Sequence, residues 1–183
     1  GPTKALIQII RIHSLRRYSM RLVILGAGGY GHVIEDIANQ SKRYEEILFL
    51  DDNTENKCSS FIEYIDSNTE FYPAFGNNEI RMKWLDELEK KECMIASFVH
   101  SSAYVSPKAN IEAGCVILPL SVVNTNVVIE KGCIINCGAI IDHDCHIGKG
   151  CHICLSATIK ANNKIPACTK IEAGCVIENN TFI

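Results

Sequence analysis

From residue 99 to residue 183, every sixth position is valine or isoleucine: Val99, Val105, Ile111, Ile117, Val123, Ile129, Ile135, Ile141, Ile147, Ile153, Ile159, Ile165, Ile171, Ile177 and Ile183. An amphipathic helix repeats at about 3.6 residues and a half-buried strand at about 2, so neither produces this register. A hexapeptide period predicts a parallel β-helix, in which short strands wind into stacked coils. The neighbouring positions agree. Two residues before the aliphatic, most repeats carry a small side chain: Ala103, Ala109, Cys115, Ser121, Cys133, Ala139, Cys145, Cys151, Ala157 and Cys175. A narrow, close-packed coil has room for only a small inward side chain beside each large one. Three residues after the aliphatic come Gly114, Asn126, Gly132, Gly138, Asp144, Gly150, Asn162, Gly174 and Asn180. Those types accept the positive φ of a tight corner. Three hexads close a triangular coil of about eighteen residues. The repeats then stack about four and two-thirds coils, a prism roughly 22 Å tall at sheet spacing.

The N-terminal half patterns differently. Arg21–Ala27 reads as a strand, Gly28–Gly31 as a glycine turn and Gly31–Gln40 as a helix. Glu46–Asp52 and Thr69–Phe75 read as further strands. Asn77–Lys90 reads as a helix with Ile80, Trp84 and Leu88 on one face, and Cys93–Val99 as a short strand leading into the first coil. This order predicts a small parallel, Rossmann-like βαβ domain over residues 20–98, followed by an all-β prism over residues 99–183.

Composition narrows the function classes. The chain has 183 residues, 47% hydrophobic and 21% charged, which suits one or two compact domains. Its formal net charge is −3 and it has no long basic run, which argues against nucleic acid and anionic membrane as partners. No apolar run approaches the roughly eighteen residues of a membrane span. Residues 1–19 begin Gly-Pro, carry Lys4, Arg11, Arg16 and Arg17 without an acid, and precede Met20. They read as a tag- or vector-derived or disordered extension. Of the ten cysteines, Cys115, Cys133 and Cys151 stand 18 residues apart and should stack as an inward ladder. Small-residue packing accounts for them better than disulfides. With no secretion signal visible, a reducing cytoplasm is the expected compartment.

Two clusters carry candidate chemistry. Gly26, Gly28 and Gly31 form G-x-G-x-x-G between a strand and a helix, and Asp51 ends the next strand. The α/β region is half the length of a dinucleotide fold, so a nucleotide or nucleotide-sugar is the expected ligand; a dinucleotide and a purely structural turn are the alternatives. Glycines would let backbone amides approach a phosphate at the helix N-terminus. Asp51 or Asp52 would accept hydrogen bonds from a base or ribose. In the prism, His143 lies in Asp142-His143-Asp144, two residues past Ile141, so its side chain should point outward. A histidine flanked by carboxylates suits a general base near neutral pH; a solvated surface histidine is the bland reading. Asp144 is either its partner or a corner residue like Asn126, Asn162 and Asn180. His146 and His152 each follow a cysteine. The Cys and His side chains should lie on different faces, so no metal site is expected.

Five stretches together resemble bacterial sugar acyltransferases, the family that includes sialic acid O-acetyltransferases and UDP-4-amino-sugar N-acetyltransferases of bacillosamine synthesis. They are GAGGYGHVIEDIA, FLDD at 49–52, AFGNNEIR at 74–81, HSSAYVSPKA at 100–109 and INCGAIIDHDCHIGKGCHI at 135–153. The FLDD and GNNEIR segments bring the chain nearest the N-acetyltransferase branch. The resemblance implies that the prism is a left-handed parallel β-helix, which breaks the usual crossover rule. It implies acetyl-CoA as cosubstrate, His143 as general base and Asp144 as its carboxylate. Gly28, Gly29, Tyr30, Gly31, Asp51, Asp52, Gly76 and Asn77 would hold the nucleotide-sugar. Asn136, His152, Ser156 and Ala157 would line acetyl-CoA. It also implies a homotrimer with each active site between two prisms. The chain departs from the family at Tyr30, often histidine; at Asp144, often glutamate; at Lys160 and Pro166; and in ending at Ile183 without a further coil. Those departures leave room for weakened CoA binding, or a last coil capped by another subunit. The rival functions are sugar or sialic acid O-acetylation and non-catalytic nucleotide-sugar binding.

Overall fold

The computed structural model describes residues 19–182. The expectation for residues 1–18, and Ile183 of the aliphatic series, lie outside the described residues. Strands β1 (Met20–Leu25), β2 (Tyr44–Leu50), β3 (Thr69–Pro73) and β4 (Met94–Ile95) form one parallel sheet in the order β2-β1-β3-β4. Helix α1 (Gly29–Ser41) links β1 to β2, a 3-10 turn spans Cys58–Tyr64, and α2 (Asn78–Lys90) links β3 to β4. β1 is the hinge of this order: the chain leaves it for β2 on one side and returns to β3 on the other. The crevice at the carboxyl ends of β1 and β3 is therefore the topological switch point, where open α/β sheets receive ligands.

Two local expectations change. The segment 93–99 is not one strand: Met94–Ile95 pairs with β3, whereas Phe98–Val99 pairs with Val116–Ile117 in the prism. Ala96 and Ser97 cross between the two sheets. In α2 the buried face is Arg81, Met82, Leu85 and Leu88, while Ile80 is 45% exposed. The helix is turned so that Arg81, Met82 and Leu85 meet the glycine corners of the prism, contacts that hydrophobic periodicity alone does not register.

The prism contains fourteen two-residue strands in three parallel sheets. Sheet I is Phe98–Val99, Val116–Ile117, Ile134–Ile135, His152–Ile153 and Lys170–Ile171; sheet II is Tyr104–Val105, Val122–Val123, Ile140–Ile141, Thr158–Ile159 and Val176–Ile177. Sheet III is Asn110–Ile111, Val128–Ile129, His146–Ile147 and Lys164–Ile165. The second residue of each strand from Val105 to Ile177 packs into the prism core, and Ile117 through Ile159 of the series are fully buried, whereas Val99 in the first coil is 51% exposed. Each such side chain contributes about 1.5–3 kcal/mol of transfer free energy. The small inward slot has its own chemistry. The thiols of Cys115, Cys133, Cys145 and Cys151 donate to carbonyls fifteen residues onward at 3.0–3.1 Å, and the Ser121 hydroxyl does so at 2.7 Å. All nine predicted corner residues have φ between +57° and +73°. Leu120, Ser156 and Cys168 fill the same slot with φ of +62°, +56° and +56°.

The three outer faces differ. Phe98, Val116 and Ile134 of sheet I are buried against Leu22, Ile24, Ile34 and Tyr72 of the α/β domain. Sheet III presents Asn110, Val128, His146 and Lys164. Sheet II presents Tyr104, Val122, Ile140, Thr158 and Val176, and of these Tyr104, Ile140 and Val176 are 55%, 41% and 54% exposed. No helix among the described residues is long and apolar enough to cross a membrane.

Candidate active site

His143 stands on the corner between sheets II and III, its side chain nearly half exposed. Asp144, at φ +59°, is the corner residue itself. The corner brings sequence neighbours together: His143 Nδ1 lies 2.7 Å from Asp144 Oδ2. A carboxylate only accepts, so Nδ1 carries the proton and Nε2 presents its lone pair outward. Asp144 also accepts from Asn126 Nδ2 at 3.0 Å, one coil below. The hydrogen bond that His143 donates to Asp144 raises the His143 pKa above an ordinary histidine's, and the same contact lowers that of Asp144. Asp142 Oδ1 accepts from the His143 backbone N–H at 2.8 Å and from Asn124 Nδ2 at 3.1 Å, bracing the loop from the other side. Asp144 thus fills both roles left open by its position, corner and histidine partner.

Asn136 and His152 meet on the outer face of sheet I. Asn136 Oδ1 accepts from the Cys137 N–H at 2.8 Å, which orients its amide so that Nδ2 donates to His152 Nε2 at 2.9 Å. Burial first, and then the charge of Arg81, push the His152 pKa down to about 4, so the ring is neutral at physiological pH. Its Nδ1 is buried without a hydrogen bond of good geometry, although the Gly76 backbone is close enough to favour a proton on the ring. His152 therefore sits where the loop after β3 reaches sheet I. Ser156 is an exposed corner whose N–H bonds the Cys137 carbonyl at 3.0 Å. The Ala157 side chain is fully buried inside the prism, so a ligand alongside reaches Ser156 but not that methyl. His146 lies on sheet III, 2.7 Å from Glu130, away from His152.

The glycines of the α/β domain separate into two kinds. Gly26 has φ +102°, and a Cβ on Gly31 would stand 2.2 Å from the Gly26 carbonyl oxygen, so both are required by the turn. Gly28 and Gly29, after β1, and Gly76, after β3, would each place a Cβ in open space, and none has positive φ. Among the described residues nothing demands glycine at these three positions, and all three follow the carboxyl ends of β1 and β3 at the switch point. The predicted polar contacts are more occupied. Asp51 accepts from the Ala27 and Asn53 N–H groups at 2.7 and 2.8 Å, which lowers its pKa. Asp52 Oδ1 accepts from the Cys58 N–H at 2.9 Å, and Asn77 caps α2 through the Ile80 N–H at 2.9 Å. The Tyr30 hydroxyl lies 2.6 Å from that of Tyr72, turned toward the prism interface. A separate cleft of about 260 Å³, bordered by Gln40, Arg43, Ser97 and His100, touches none of the sequence-predicted site residues.

Arg81 was missed by sequence reasoning. It is fully buried and bonds the Phe75, Gly132 and Gly150 carbonyls at 2.8–2.9 Å. Its one signal was its place in the AFGNNEIR stretch.

Comparison with known proteins bears on the fold. Residues 21–88 match the PglD N-terminal domain family. PerB from Caulobacter crescentus, solved with CoA and GDP-perosamine, is similar with a TM-score of 0.76 at 20% identity over 90% of each chain. The acetyltransferase domain of PglB from Neisseria gonorrhoeae FA1090 is similar with a TM-score of 0.64 at 23% identity, over 89% of this chain and 98% of that one. WeeI from Acinetobacter baumannii AYE gives 0.54 at 18% identity, over 81% and 94%. Residues 21–88 are thus similar to the PglD N-terminal domain family, and the chain shares the left-handed parallel β-helix fold of these solved structures.

Proposed function

We propose that the chain transfers the acetyl group of acetyl-CoA to the amine of a nucleotide-linked 4-amino-4,6-dideoxy sugar, with His143 as general base. One observation carries this reading: an outward histidine whose Nδ1 is held 2.7 Å from Asp144, leaving Nε2 available, in a fold shared with N-acetyltransferases. The sugar nitrogen attacks the thioester carbonyl while Nε2 takes its proton; Asp144 stabilises the imidazolium. A backbone N–H stabilises the developing oxyanion. Collapse of the tetrahedral intermediate expels the CoA thiolate, to which the imidazolium returns the proton. The open glycines Gly28, Gly29 and Gly76 support a sugar-nucleotide in the switch-point crevice, where a phosphate would meet the N-terminus of α1. UDP is the proposed nucleotide; GDP, which PerB binds, is the comparison to run beside it.

The same reading calls for two copies per site. His143 stands at the corner between sheets II and III, whereas the Asn136–His152 pair lies on sheet I, beyond the corner at Gly138. Between them runs the bare apolar ladder of sheet II. A homotrimer that covers this ladder would bring His143 of one prism toward the acetyl-donor pair of the next.

The test is thiol release from acetyl-CoA with UDP- and GDP-linked 4-amino sugars and with free sialic acid. Release should require an amino-sugar nucleotide, and His143→Ala should lower turnover about 10²-fold with sugar-nucleotide affinity unchanged. Release with sialic acid alone would replace this reading by O-acetylation. Nucleotide-sugar binding without CoA binding would replace it by a non-catalytic binder. Sedimentation should give three chains per particle, and Ile140→Arg should lower both particle mass and turnover. A fully active monomer would refute the shared site.

A further inference from the structure

Arg81 heads the fully buried side chains of the described residues by size. A guanidinium carried into the interior is costly unless every donor is matched. Here it meets six oxygens, none of them a carboxylate. Two belong to the loop after β3: the Phe75 carbonyl at 2.9 Å and the Gly76 carbonyl at 3.4 Å. Three belong to stacked corners of the prism: Gly132 at 2.8 Å, Gly150 at 2.9 Å and Cys151 at 3.3 Å. The sixth is Asn78 Oδ1 at 2.8 Å, and the Asn78 amide itself donates to the Cys168 carbonyl of the next corner at 3.1 Å.

The backbone partners include residues that adjoin two different half-sites. Gly76 is one of the three open glycines of the crevice. Cys151 immediately precedes His152, whose ring is held by Asn136. The guanidinium is a rigid planar fork, so the bonds on one side fix those on the other. The surrounding contact has no slack: a Cβ on Gly132 would fall 2.6 Å from Met82 Sδ, and one on Gly150 2.5 Å from Met82 Cγ.

We propose that Arg81 is a positioning residue for transfer, fixing the sugar-nucleotide crevice at Gly76 relative to the acetyl-donor pair Asn136–His152. The inference rests on the functional reading above and adds a division of labour to it. Arg81 touches neither substrate, so it contributes little to either affinity. It sets the distance between them, and reacting atoms must approach within about 3–3.5 Å, where a misplacement of about 1 Å costs on the order of 10² in rate. The effect should therefore fall on kcat and spare binding.

The experiment uses the full chain. Arg81→Lys keeps the charge and loses the fork. Calorimetry gives the number of sites and the Kd for CoA and for whichever amino-sugar nucleotide supports turnover; thiol release gives kcat. Expected are wild-type site numbers, both Kd values within about threefold, and kcat lowered about 30-fold or more. Asn78→Ala, at a half-buried position, removes one Arg81 acceptor and the clasp on Cys168, and serves if the lysine variant does not fold. It should lower kcat about 3- to 10-fold with the same binding. Folded variants with wild-type kcat, or a loss confined to the Kd of one ligand, would overturn the positioning role while leaving the acetyltransferase reading intact. A wild-type chain that binds both ligands and releases no thiol would overturn the functional reading first, and the positioning role with it.

Discussion

In the prism the same corner is built again every eighteen residues or so, whereas in the α/β domain each turn is built once. The consequence shows in how the candidate residues are used. At the corner between sheets II and III, Asn126, Asp144, Asn162 and Asn180 all adopt the left-handed conformation, so the fold asks only for a residue that tolerates it. His143 and the second carboxylate oxygen of Asp144 stand outside that demand and face each other. In the α/β domain no copy exists to share the load. Asp51, Asp52, Asn77 and Tyr30 each combine a predicted ligand contact with a hydrogen bond inside the chain. A repeat lets chemistry be written over structure; a single-copy turn makes one residue serve both. The exceptions in the α/β domain are the glycines with open space.

Gly31 gives the hardest test of that contrast. Its missing Cβ is replaced by a backbone carbonyl 2.2 Å away, which cannot swing aside as a side chain would. Gly31→Ala should cost about 3 kcal/mol, read as a fall in Tm of roughly 10 °C, with sugar-nucleotide binding lost in proportion to folded protein. Unchanged melting would mean that α1 slides along β1 without penalty and that the single-copy turn is not over-determined.

The contrast also explains what could be read from the sequence. The hexad register and the nine corners were legible because a repeat states each requirement many times over. Leu120, Ser156 and Cys168 were not, because their types do not announce a positive φ; only their sixfold spacing does. The break of residues 93–99 into two strands escaped detection because both pieces are apolar and the crossing is only Ala96 and Ser97. Arg81 escaped for a different reason. An arginine in an amphipathic helix reads as surface, and its partners are mostly backbone carbonyls, which carry no sequence signature. The His143–Asp144 pair was readable only as one of two alternatives: the flanking carboxylates pointed to a histidine partner, whereas asparagine at the same corner in three other coils pointed to a plain corner residue.

Asp144→Asn sharpens the comparison inside the prism. Asparagine already occupies this corner in neighbouring coils, so the fold should be retained. What changes is the partner of His143. Asp144 is the largest cause raising the histidine's pKa, so the acid limb of kcat/KM in the wild type should lie above an ordinary histidine's. The base works only when neutral, and a raised pKa keeps it protonated to higher pH. Removing the carboxylate should move the limb to lower pH, while the plateau falls about 10-fold because the imidazolium loses its stabilisation. A limb that stays in place would assign it to another group; an unfolded variant would make Asp144 structural after all.

Gly28→Ala probes the α/β domain where structure and ligand are separable. The residue is the N-cap of α1 at φ −78° and ψ −173°, a conformation open to alanine, and its Cβ would meet nothing within 4 Å. Stability should change by less than about 1 kcal/mol, mostly through the poorer cap. If the open space is where a phosphate approaches the amides of α1, a methyl there keeps it away. The Kd for the sugar-nucleotide should then rise about 10-fold, worth about 1.4 kcal/mol, with CoA affinity unchanged. Gly31→Ala and Gly28→Ala would thus fail in opposite columns of one table, stability for the first and affinity for the second. Equal loss of stability in both would return Gly28 to the fold and leave the crevice without its clearest ligand signal.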